Sequence, residues 1–155
     1  DMRAMLENIA RHEKLKIDPK AEEALVYVSG GDARKLINAL QGAASLSDNI
    51  GEEDVYRVAS RAKPEEVEKM IAAAIQGKFT ESRDLLDSMM LKYGMSGEEV
   101  IQQIFREVTH MALPDKDKVA LVDRIGEYDF RIVEGADERI QLEALLAQIM
   151  LLHKK

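Results

Sequence analysis

Apolar residues recur every three or four positions along most of the chain, the period of helices with one face turned inward. Met2, Met5, Leu6 and Ile9 set a first run, extending to about Glu13. Leu15 and Ile17 sit two apart and predict a short extended connector. Asp18-Pro19 is a helix start, a capping side chain followed by proline at a position that has no intrahelical N–H bond to lose. Ala21, Ala24, Leu25 and Val28 carry the second helix to Gly30. Leu36, Ile37, Leu40 and Ala44 mark the third, which begins at Asp32 and fades at Ser47-Asp48-Asn49. Val55, Val58 and Ala59 mark a short fourth helix over 52–59.

Lys63-Pro64 breaks the pattern, because the residue before a proline avoids the helical conformation. It is the predicted boundary between a first unit of four short helices and a second unit. Pro64 opens a helix carrying Val67, Met70, Ile71 and Ala74 and closed by Gly77. Phe79, Leu85, Leu86 and Met89 mark the next, ending at Tyr93-Gly94. Ser96-Gly97-Glu98-Glu99 reads as a capping box, with Met95 and Val100 placed as its hydrophobic staple. Val100, Ile104, Phe105, Val108 and Met111 follow, and Pro114-Asp115 punctuates again. Val119, Val122, Ile125 and Ile132 belong to a long helix ending near Gly135, and the last helix spans about 137–152.

That last helix departs from the pattern. Ile140, Ala144, Ala147 and Leu151 form one stripe; Leu142, Leu145, Ile149 and Leu152 form another, turned well away from it. A helix apolar nearly all round must be covered on more than one side. The cover is either the rest of its own bundle or a second chain.

Composition narrows the class. Apolar residues make up 46% of 155 residues, too many for a disordered chain, and there are eight Met, no Trp and only three Pro. A core of Leu, Ile, Ala and Met suits packed helices, so the predicted fold class is all-α. A net charge of −7 argues against a surface that coats nucleic acid, which needs an excess of Lys and Arg on one face. No cysteine occurs, which removes disulfides and thiolate metal sites. No apolar run reaches membrane-spanning length, and Asp1-Met2-Arg3 begins no signal peptide. The chain starts inside an amphipathic pattern, so a piece of a longer protein is expected.

Candidate chemistry is sparse. No G-x-x-x-x-G-K-[ST] loop occurs, so the backbone cradle that holds nucleotide phosphates is absent from this sequence. His12, His110 and His153 are too dispersed to suggest a local metal or catalytic cluster, and no catalytic or metal-ligating residue is assigned. Acidic pairs such as Glu52-Glu53 and Glu65-Glu66 lie at helix starts, where they suit the helix dipole. The exception is Ser29-Gly30-Gly31-Asp32-Ala33-Arg34-Lys35. Two glycines close one helix, Asp32 caps the next, and Arg34 and Lys35 fall in its first turn. Cations there oppose the dipole, yet beside N–H groups they would suit an anion such as phosphate; the alternative is two solvated side chains.

Gly31-Asp32-Ala33-Arg34-Lys35 with the following Leu36-Ile37-Asn38-Ala39-Leu40-Gln41 resembles the sensor-2 segment of AAA+ clamp-loader ATPases. The match is closest to the small subunit of archaeal replication factor C. Glu134-Gly135-Ala136-Asp137-Glu138-Arg139-Ile140-Gln141-Leu142-Glu143-Ala144-Leu145-Leu146 resembles the last helix of that subunit's collar domain. The resemblance implies a four-helix lid domain over 1–62 and a five-helix collar bundle over 63–155. It implies that Arg34 contacts the γ-phosphate of ATP in the full-length protein, with ATP and Mg held mostly by an N-terminal part outside this chain. This piece itself would be no enzyme and hold no cofactor. The collar would form a homo-oligomeric ring through Ile140, Leu142, Leu145, Ile149 and Leu152, joined by a large subunit. Sliding clamp and primer–template DNA would be met through the N-terminal part. The setting implied is the cytoplasm of an archaeon, with no membrane involved. Two other readings stay open from the residues: a helical protein–protein adaptor without nucleotide, and a helix-turn-helix DNA binder, against which the charge speaks.

Overall fold

The computed structural model describes residues 1–153. Among the described residues the chain is all-α apart from two strands of two residues each, and it divides into two compact units, Asp1–Arg61 and a second beginning at Ala62.

The first unit contains α1 (Met2–Glu13), β1 (Lys16–Ile17), α2 (Pro19–Ser29), α3 (Ala33–Leu46), β2 (Asn49–Ile50) and α4 (Glu52–Val58). Its helix starts follow the residues. Asp1, Asp18 and Asp32 each accept a first-turn N–H through the side chain, satisfying donors that the helix leaves free. The expected connector at Leu15–Ile17 is extended, and it pairs in parallel with a second extended segment: Lys16 opposite Asn49 and Ile17 opposite Ile50. The second segment was not foreseen, because two residues give no alternation to read. α2 packs on α3 and α4, and α3 on α4. Leu6, Leu25, Leu36, Leu40, Ile50 and Val55 are buried between these elements. Gly42 lets α3 and α4 approach closely, since a Cβ there would overlap Val58 Cγ1.

The second unit is a bundle of α5 (Pro64–Ile75), α6 (Phe79–Tyr93), α7 (Gly97–His110), α8 (Asp115–Val133) and α9 (Glu138–Leu152). The capping box forms as read: Ser96 accepts from Glu99 N, and Glu99 accepts from Ser96 N. Met95 and Val100 are both buried beside it. α9 lies at the centre, packed by α5, α6, α7 and α8. Its cover on more than one side therefore comes first from its own bundle. The core is built from Met70, Ile71, Leu86, Ile101, Ile104 and Leu121 around Leu142, Leu145, Leu146 and Ile149.

Candidate functional site

The first candidate is the start of α3. α2 ends at Gly30 (φ 57°) and Gly31 follows at φ 86°, a pair of left-handed residues that reverses the chain within two positions. Asp32 N then bonds Ser29 O at 3.0 Å, and the Asp32 carboxylate accepts from Arg34 N (2.8 Å) and Lys35 N (3.2 Å). This changes the reading of the turn. Two of the N–H groups that an anion could have used are taken by Asp32. That leaves the side chains of Arg34 and Lys35, both exposed, as the main partners for an anion at this end. Lys35 also lines a shallow groove of about 260 Å³ with Val28, Asn38, Ala39, Val58 and Ala59.

The second candidate is the apolar surface of the bundle. Leu142, Leu145 and Ile149, expected to face another subunit, are fully buried in the bundle itself. Four neighbouring helices cover the stripe they form, so they cannot also line an outer surface. Ile140 and Leu152, expected at the same interface, do face outward at 63% and 42% exposure, joined by Leu151. Sequence reasoning missed a stronger outward stripe on α8. There Leu121, Ile125, Tyr128 and Ile132 point inward, while Val119, Val122, Phe130 and Val133 are exposed. The signal was present: those four sit three, eight and three residues apart, a second helical stripe beside the core one. Phe105 of α7 is exposed too, and with Val122, Ile125, Gly126, Arg106 and Asp129 it lines a groove of about 470 Å³.

Several charges on this unit are paired between helices. Arg83 and Arg139 both reach Glu143, and Arg139 also reaches Asp87, joining α6 to α9. The hydrogen bond from Arg83, helped by the charges of Arg83 and Arg139, holds the Glu143 carboxyl below its usual range against a smaller opposing effect of burial. The three histidines lie at helix C-termini: His12 and His110 in last turns, His153 as a C-cap. His110 and His153 use Nδ1 toward the carbonyls of Arg106 and Ile149. Among the described residues no group of three or more His, Asp or Glu is arranged to hold a metal ion. No helix among them is long and apolar enough to cross a membrane.

A profile of the replication factor C C-terminal domain matches residues 62–148, more than half of the chain. The chain belongs to that family. The matched stretch opens at Ala62, where the second unit begins. In this replication factor C C-terminal domain the outward stripe of α8 lies wholly within the matched stretch, and that of α9 begins within it at Ile140.

The similarity extends through the first unit as well. The replication factor C small subunit of Methanocaldococcus jannaschii is 54% identical over 152 residues, covering 98% of this chain and 8% of that protein. Those of Archaeoglobus fulgidus and Methanococcus maripaludis are 48% and 51% identical over 99% and 98% of the chain. The chain spans about half the length of each of the latter two, 48% in both cases.

Proposed function

We propose that this chain is the lid and collar portion of a clamp-loader ATPase subunit. The reading is carried by close identity, over nearly the whole chain, to proteins named replication factor C small subunit. In it, the first unit acts as the lid and the second as the collar, with the boundary one residue earlier than the 62/63 expected from the sequence. The lid turns on an ATPase core as nucleotide binds, and Arg34 meets the γ-phosphate. A guanidinium suits that task because it gains most when the extra phosphate charge is present. The exposure of Arg34, and the capture of its neighbouring N–H groups by Asp32, support a side-chain contact rather than a backbone cradle. The collar holds subunits, including a large one, in a ring that opens a sliding clamp and loads it on primed DNA. Outward apolar residues on α8 and α9 support an assembly role, since soluble monomers seldom leave such surface uncovered. Hydrolysis, with its Mg, belongs to the core.

The test is Arg34→Ala in the full-length subunit. The fold should be unchanged, as Arg34 is exposed. ATP-dependent clamp loading should fall, because a charge-assisted contact of about 1.5–3 kcal/mol is lost from the ATP state. Unchanged loading and ATP response would make Arg34 an ordinary surface residue.

A further inference from the structure

Among the described residues three glycines lie within helices, and for two of them the chain itself supplies the reason. A Cβ at Gly42 would overlap Val58, and one at Gly97 would overlap Glu138. Gly126, in the middle of α8, has open space where a Cβ would stand. Glycine weakens a helix interior, so alanine would serve the fold better at this position.

The residues around Gly126 are symmetric. Val119 and Val122 lie seven and four positions before it, and Phe130 and Val133 lie four and seven after it. All four are exposed. At about 100° per residue they fall within about 40° of Gly126 around the helix. Val122 and Val133 lean to one side of this line, Val119 and Phe130 to the other. A second α8 turned end over end about Gly126 therefore presents the same stripe again. Its Phe130 comes level with Val122 and its Val133 with Val119, and in each pair the two side chains lean to opposite sides. A two-fold axis sets residue i against j and j against i in just this way.

We propose that the outward face of α8 is a two-fold contact surface for a second copy of this chain, the two helices lying antiparallel and meeting at Gly126. With no Cβ at the axis the helices come close enough for the Val122–Phe130 and Val119–Val133 pairs to interlock, since side chains at the contact set the distance between helices. Charge agrees with the same register. Lys116 and Glu134 are exposed on one flank of the stripe, ten positions before Gly126 and eight after. The axis keeps like flanks together, so Lys116 of each copy lies within about 3 Å, along the helix, of the level of Glu134 in the other. Asp123 and Glu127 share that flank near the axis, where they repel. Glu127 is paired with Arg124 and Arg131 of its own helix, which offsets this. A two-fold contact closes on itself and does not propagate around a ring. It is separate from the ring proposed above and holds whether or not that ring forms.

The sequence has no cysteine, so single thiols read the register. Val122→Cys and Phe130→Cys are oxidised alone and as a mixture. The mixture should give a disulfide-linked dimer of one variant with the other, and neither variant should link to itself. Sedimentation of the natural chain should show a monomer–dimer equilibrium. Gly126→Leu should weaken the dimer by about tenfold or more with circular dichroism unchanged. Lys116→Glu should weaken it too, and adding Glu134→Lys should restore it. A natural chain that stays monomeric, or that assembles only into rings without passing through a dimer, would overturn the proposal. So would a mixture that fails to cross-link, Val122→Cys linking to itself, or a dimer indifferent to Gly126→Leu. Should Gly126→Leu disturb the fold, the cross-links and the charge exchange decide between the same outcomes.

Discussion

Truncating α9 on its two stripes should give very different costs. Leu142 is fully buried, while Ile140, two residues earlier on the same helix, is 63% exposed. Each change to alanine deletes three carbon groups, about 2.4 kcal/mol of transfer free energy when all of them are buried. At Leu142 the neighbouring helices cannot fully close on the space. A cavity cost adds, and the total falls within the range of about 2–5 kcal/mol seen for such sites. At Ile140 little more than a third of the side chain is covered, so Ile140→Ala should cost under about 1 kcal/mol. Urea titration measures both. With a slope of about 1–3 kcal/mol per molar, Leu142→Ala should lower the midpoint by roughly 1–3 M and Ile140→Ala by a few tenths. The two units can unfold separately, so the transition is best followed through resonances of Tyr93 and Tyr128, buried in the bundle. Equal shifts for the two variants would refute the division of α9 into an inner and an outer face. So would a Leu142→Ala cost below about 1 kcal/mol, which would mean a loosely packed bundle centre.

Other outcomes follow from particular contacts. The outward stripe of α8 should mediate self-association at raised concentration, and Phe130→Asp should abolish it in sedimentation with circular dichroism unchanged; a strictly monomeric natural protein would remove the basis for this. Gly42→Ala should destabilise the first unit by about 1–2 kcal/mol, because overlap with the stiff Val58 outweighs about 1 kcal/mol of gained helix propensity. In a Val58→Ala background the same change should stabilise, and a double-mutant cycle reads the difference. Burial, then its hydrogen bond to Glu66, pushes the Tyr93 hydroxyl up from 10.0 to about 12. Its protonated form is favoured in the folded state, so this contribution is full below pH 10.0 and lost as the pH rises through about 12. An ultraviolet titration should show Tyr93 ionising late, and early ionisation of all the tyrosines would contradict it.

Much of the helix layout was legible because it depends on local chemistry. Asp32, Asp18-Pro19 and the Ser96–Glu99 box cap helices through neighbours two or three residues away, and such partners can be read from spacing. Which stripe of the last helix faces inward was not legible. Leu142 and Ile140 are equally apolar, and only the placement of α5 to α8 around α9 decides which is buried. The buried hydrogen bonds of Gln103 to Ala62 gave no signal at all: a glutamine on a helix reads as surface, and Ala62 lies 41 residues away. At the start of α3 the sequence brought Asp32, Arg34 and Lys35 together. Asp32 was legible there as the cap; that the N–H groups it accepts from are those of Arg34 and Lys35, the two cations themselves, is what the fold adds.

The small parallel pairing of β1 with β2 bears on the order in which the first unit assembles. Lys16–Ile17 meets Asn49–Ile50 only after the chain has gone out through α2 and back through α3. Most other contacts in that unit join helices adjacent in sequence, which form early because little chain has to be closed. Two residues of ladder cannot repay the closure of so long a loop by themselves. The strand pair is therefore expected to form late, once α2 and α3 have docked and brought its halves together. It records the completion of the unit and does not nucleate it.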